Sequence, residues 1–195
     1  MNRRRTLTAA AVFATVTTLG LGPLDAGTAQ AATRAASFVD TAFILEAAQS
    51  NQLEIALGAV AQQKAQNADV KAFAAEMVKD HTQAEKALEA LATKRGVTVP
   101  AASKDPVVQG LAAALAKVPA ADFDFQYVFE QVNDHTVTLA LVLRGSAKAQ
   151  DPALRSYFRH ARPVITEHLK EAQALLRKVK PGPSEAPGAA AAALH

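Results

Sequence analysis

Three acid-histidine pairs punctuate the chain: Asp80-His81, Asp134-His135 and Glu167-His168. The first two sit in matching pentads, Val-Lys-Asp-His-Thr over 78–82 and Val-Asn-Asp-His-Thr over 132–136. Imidazole ligates transition metals in its neutral form and titrates near neutrality. Apolar residues surround each histidine at helical spacing. His81 has Met77 and Val78 before it and Ala84 and Leu88 after it; His135 has Val128, Val132, Leu139 and Val142; His168 has Val164, Ile165, Ala172 and Leu175. All three imidazoles are therefore expected to face a helical interior. The preceding acids Asp80, Asp134 and Glu167 point about 100° away around each helix and are expected to flank the histidines.

The elements that position these groups follow from periodicity and end signals. Long amphipathic helices are predicted at about 37–66, 69–95, 122–149 and 152–179, with a short helix at about 106–117. Ser37 and Asp40 suit the start of the first helix. Asn67-Ala-Asp69 separates the first two, and Lys94-Arg95-Gly96 is a strong stop. Asp105-Pro106 and Asp151-Pro152 are cap-plus-first-position pairs that open the short helix and the last one. Pro163 lies inside the last helix and is expected to kink it.

Depth along the helices brings in a fourth residue. Glu54 precedes Asn67 by 13 residues and His81 follows it by 14, so both lie about 20 Å from that turn at about 1.5 Å per residue. His135 and His168 are placed symmetrically about Asp151. Asn51, Gly58 and Ala61 share Glu54's face and are small enough to leave room beside its carboxylate. Glu54, His81, His135 and His168 form one mononuclear ligand set suited to Zn, Fe, Mn, Cu or Ni. Glu85, Asp134 and Glu171 are candidate outer acceptors behind the histidines. Binding through neutral imidazole should weaken as pH falls through about 6.5.

The competing reading is a buried hydrogen-bond network that only fixes helix register. The positions three before the histidines are Val78, Val132 and Ile165, so the Glu-x-x-His pattern of di-iron bundles is missing. No nucleophile elbow, phosphate loop or zincin motif occurs, and no catalytic residue is assigned.

Composition bounds the class. The chain has 195 residues, no Cys and only 5% aromatics, which suits an all-α protein without disulfides or thiolate ligands. Residues 1–31 read as an export signal: Arg3-Arg4-Arg5, an apolar stretch from Leu7 to Leu21, then Ala29-Gln30-Ala31 as a small-x-small cleavage site. Removing that segment takes three Arg and one Asp and lowers the formal charge from +3 to +1. No Lys/Arg run remains to favour nucleic acid, and no remaining segment has the apolar length of a membrane span. Residues 36–179 are expected to form one domain, and 180–195 a disordered Pro/Ala-rich tail. The protein is thus expected in the periplasm, at the cell envelope or secreted, with an envelope protein as a conceivable partner.

Several stretches together resemble a bacterial family, the domain of unknown function numbered 4142. They are Phe43-Ile-Leu-Glu-Ala-Ala48, Glu54 to Gly58, Val70 to Ala74, Met77-Val-Lys-Asp-His81, Gly96-Val-Thr-Val-Pro100, Phe125 to Tyr127, Asp134-His135, Leu154 to Phe158 and Pro163 to Leu169. The resemblance spans about 36–178. It implies a ferritin-like four-helix bundle, exported to the periplasm or cell surface; the short helix expected at about 106–117 would be an extra one between helices 2 and 3. It also implies that Glu54, His81, His135 and His168 occupy recurring polar core positions. It implies no particular activity. Two roles stay open: an exported metal-binding bundle with redox or stress-protective use, and a non-catalytic envelope protein whose polar core is structural.

Overall fold

The computed structural model describes residues 26–181. Five α-helices follow in order: α1 (Ala26–Lys64), α2 (Ala68–Lys94), α3 (Pro106–Lys117), α4 (Ala120–Lys148) and α5 (Pro152–Leu176). A single 3-10 turn, Ala102–Lys104, precedes α3, and no strand occurs among the described residues. The expected all-α bundle and the extra short helix are both present. The expected export signal lies largely outside the described residues, as does most of the expected tail.

Local chemistry explains the boundaries. Asn67 caps α2, its Oδ1 accepting from Asp69 N at 2.8 Å and Val70 N at 3.4 Å. Asp105 caps α3 through Val107 N and Val108 N, and Asp151 caps α5 through Leu154 N. Each supplies an acceptor for orphan N–H groups, and Pro106 and Pro152 occupy first-turn positions where a missing N–H costs nothing. Gly96, at φ 65°, ends α2 in the left-handed conformation that glycine adopts without strain. α1 begins at Ala26 rather than near Ser37, and α4 begins at Ala120, two residues ahead of the expected start. α5 runs through Pro163 to Leu176.

Asp40 corrects another expectation. It lies well inside α1, buried, and it ties down the distant α4–α5 turn. Its carboxylate accepts from Gln150 N at 2.7 Å and Asp151 N at 3.0 Å, and pairs with Arg95 at 3.1 Å. Arg95 also pairs with Asp151. At the other end Asp124 accepts from Gln66 N and Asn67 N, fixing the α1–α2 turn against α4.

Two apolar clusters divide the interior. One joins Leu57, Ala61, Val70, Phe73, Met77, Phe123, Tyr127, Val128, Ala172 and Leu175. The other joins Ile44, Ala48, Leu88, Leu141, Val142, Leu154, Phe158 and Ile165. The first gathers the N-terminal parts of α2 and α4 with the C-terminal parts of α1 and α5. Hence α2 and α4 run parallel, and α1 and α5 run opposite to them. The connector carrying α3 is the single long crossover of this up-down-down-up bundle. Between the clusters, at one level on all four long helices, lies a buried polar layer: Asn51, Glu54, His81, Glu85, Gln131, His135 and His168.

Gly58, expected to leave room near Glu54, has a different role. A Cβ there would stand 2.8 Å from Val78 Cγ2 and 3.0 Å from Ala74 O, so glycine permits α1 and α2 to approach closely.

Candidate metal centre

His81, His135 and His168 come from α2, α4 and α5 and converge in the polar layer, exposed by only 2%, 0% and 2%. Their ring centroids are 5.6, 5.5 and 5.3 Å apart. One ring nitrogen from each can be chosen so that all three lie within 4.8 Å of one another, a group able to hold a metal ion. Three imidazoles around a single tetrahedral ion, with metal–nitrogen distances of about 2.0–2.1 Å, have centroids roughly 5 Å apart. The rings therefore need only a small inward adjustment.

The hydrogen bonds define each tautomer. Asn51 Nδ2 donates to Glu85 Oε2 at 3.1 Å and to the Tyr157 hydroxyl at 3.2 Å. That orientation leaves Asn51 Oδ1 to accept from His81 Nδ1 at 3.1 Å. His135 Nδ1 donates to the Gln131 carbonyl at 3.0 Å. His168 Nε2 donates to Asp80 Oδ2 at 3.3 Å. The remaining nitrogens, His81 Nε2, His135 Nε2 and His168 Nδ1, are buried without a hydrogen-bond partner. Each carries a lone pair, since the proton sits on the other nitrogen. Leaving such a group unsatisfied costs roughly 1–3 kcal/mol apiece. A metal-ligating histidine is built this way, one nitrogen anchored to an oxygen and the other free.

Electrostatics agrees. Burial pushes His135 down to about 4. Burial also holds His81 well below its ordinary value, helped by His135 and His168. His168 is lowered by burial and by His135, against the raising effect of Asp80. All three imidazoles are neutral at pH 7, the form that donates to a metal.

Glu54 is not part of this three-nitrogen group. Its Oε2 accepts from Gln131 Nε2 at 2.7 Å, and Oε1 lies 3.6 Å from His135 Nδ1. The carboxylate thus faces the anchored side of the His135 ring, not its free nitrogen. Burial raises Glu54 to about 7, against the lowering effect of Gln131. Beside it Tyr127 OH and Gln131 Oε1 are buried without partners.

The expected outer residues divide. Glu85 acts through an intermediary: Asn51 links its carboxylate to His81, and Gln52 Nε2 adds a second bond at 2.8 Å. Asp134 makes no hydrogen bond to a histidine, and is pushed up to about 7 by burial, then by Glu54 and Glu130. Glu171 lies among Glu76, Glu167 and Asp80 and is raised by burial and by those acids. Glu171 therefore does not anchor His168; Asp80 does. By its place in the sequence Asp80 is only a flank of its own neighbour His81. The same 100° offset aims it at α5, across the α2–α5 seam. Asn51, expected only to leave room beside Glu54, instead holds His81, and Gln131, one helical turn before His135, carried no signal in the sequence.

Comparison with known proteins places the chain. The family model for a domain of unknown function, DUF4142, matches residues 25–175. The chain belongs to the DUF4142 family. A crystal structure of a DUF305 fragment from Deinococcus radiodurans is similar, with a TM-score of 0.63 and 14% identity over 72% of this chain and 96% of that chain. At that identity the likeness shows the shared helical fold alone. No curated protein matches the sequence.

Proposed function

We propose that this DUF4142 protein is an exported bundle that binds one transition-metal ion through His81 Nε2, His135 Nε2 and His168 Nδ1. One observation carries the reading: three buried imidazoles from three helices bring one ring nitrogen each within 4.8 Å of the others, and each ring has one nitrogen bonded to an oxygen acceptor and one buried nitrogen without a partner. Zn, Fe, Mn, Cu and Ni all accept imidazole nitrogen. Glu54 contributes compensating negative charge through the His135 ring rather than a bond to the ion. Three protein ligands leave an open position, the pattern of reactive rather than closed structural sites. That pattern suits a redox or stress-protective role. The basic, apolar and small-x-small layout of residues 1–31 supports export.

The test is uptake by the full mature chain after chelation. Titration calorimetry and elemental analysis should both read about one ion per chain, and the ion should raise Tm by mass action. His81→Ala and His135→Ala should each abolish the metal-dependent rise. The structural alternative draws on the fully bonded Asn51–Glu85–Gln52 set. It predicts the reverse: both variants melt lower without metal, and no ion changes Tm in any of them.

A further inference from the structure

The three-histidine layer has a floor and an open side. Glu54 closes the side of α1 and α4, where it meets His135 Nδ1. Between α2 and α5 lies a cavity of about 720 Å³ whose walls include His81 and His168 but not His135. Ala84 and Ala87 on α2 and Ala161 on α5 are among its lining residues, small side chains where larger ones would narrow it. Leu141, Val142 and Ile165 make much of the remaining wall apolar.

Charge narrows what can enter. No Lys or Arg lines the cavity, and the Asp80 carboxylate stands in its wall. A phosphate, sulfonate or carboxylate would meet repulsion there and no counter-charge. The size lies within the roughly 300–1,000 Å³ typical of organic-ligand sites. The Tyr157 hydroxyl in the wall can orient a guest: it accepts from Asn51, and its own proton is committed to no other group among the described residues.

We propose that the α2–α5 cleft binds an uncharged, largely apolar organic molecule whose nitrogen or oxygen donor completes the coordination of an ion held by His81, His135 and His168. This rests on the metal reading above. An ion with three protein nitrogens takes a further ligand, and the cleft that borders His81 and His168 is a largely apolar space from which one can come.

The experiment uses the full mature chain loaded with Co²⁺, whose visible absorption reports a new donor. Imidazole and 4-phenylimidazole are titrated separately. The phenyl ring should enter the cleft and tighten binding by about tenfold or more over imidazole. Ala84→Phe should bring that ratio to about one while Co²⁺ uptake is unchanged; Ala161→Phe is the second variant should the first misfold. Equal affinities of the two probes for the wild-type Co²⁺ protein overturn this inference and leave the metal reading standing. Failure of Co²⁺ uptake overturns both. A light-scattering mass of two chains that Ala84→Phe halves would assign the cleft to a second copy and overturn the proposal.

Discussion

Replacing Glu54 by Gln should stabilise the metal-free protein at neutral pH and change little in acid. Glu54 is buried, and its carboxyl is pushed from 4.5 to about 7 in the folded chain. Between those values the folded state holds a proton that the unfolded state has lost. Folding stability therefore falls as pH rises through this window. At about 1.4 kcal/mol per pH unit, the difference amounts to about 3 kcal/mol near pH 7.5. Gln cannot ionise, and its side-chain oxygen can still accept from Gln131 Nε2. Urea unfolding of chelated wild type and Glu54→Gln at pH 4.5 and 7.5 reads the effect. The variant's advantage should grow from near zero to about 3 kcal/mol. Zn²⁺ should shrink it, because a dication beyond the His135 ring favours the carboxylate. The opposite result, a variant less stable than wild type at pH 7.5, would mean that Glu54 is charged and paired with a protonated His135. That would refute both the raised carboxyl and the neutral imidazole.

Two packing predictions accompany it. Gly145→Ala should lower Tm and cost at least about 1 kcal/mol, despite alanine's better helix propensity. A Cβ there would stand 2.3 Å from Phe158 Cδ2, and that buried ring is hemmed in by Phe43 and Tyr157. Asp40→Ala should cost roughly 2–4 kcal/mol in urea unfolding, since it strands two turn N–H groups and removes one of the two carboxylates that pair with Arg95. A loss below about 0.5 kcal/mol would mean that water satisfies that turn without it.

The sequence by itself determined the helices, their approximate ends and the shared depth of the polar layer. Those depend on periodicity and on local caps such as Asn67, Asp105 and Asp151, which act within a few residues of the backbone they serve. A heptad-like stripe also suffices to turn His81, His135 and His168 inward. What the chain's order could not reveal is which atom each ring offers. That depends on partners from other helices: Asn51 for His81, from α1, and Asp80 for His168, across the α2–α5 seam. The same cause moved Glu54 from ligand to neighbour of the anchored His135 nitrogen. Depth is a one-dimensional quantity, whereas ligation needs the rotation of each helix about its axis. Burial likewise moved the expected pH window. Proton competition at a solvated imidazole centres near about 6.5. His135 in its dry layer is held at about 4, so its lone pair stays available well into acid. Only the packed bundle, by excluding water from three rings at once, decides that chemistry.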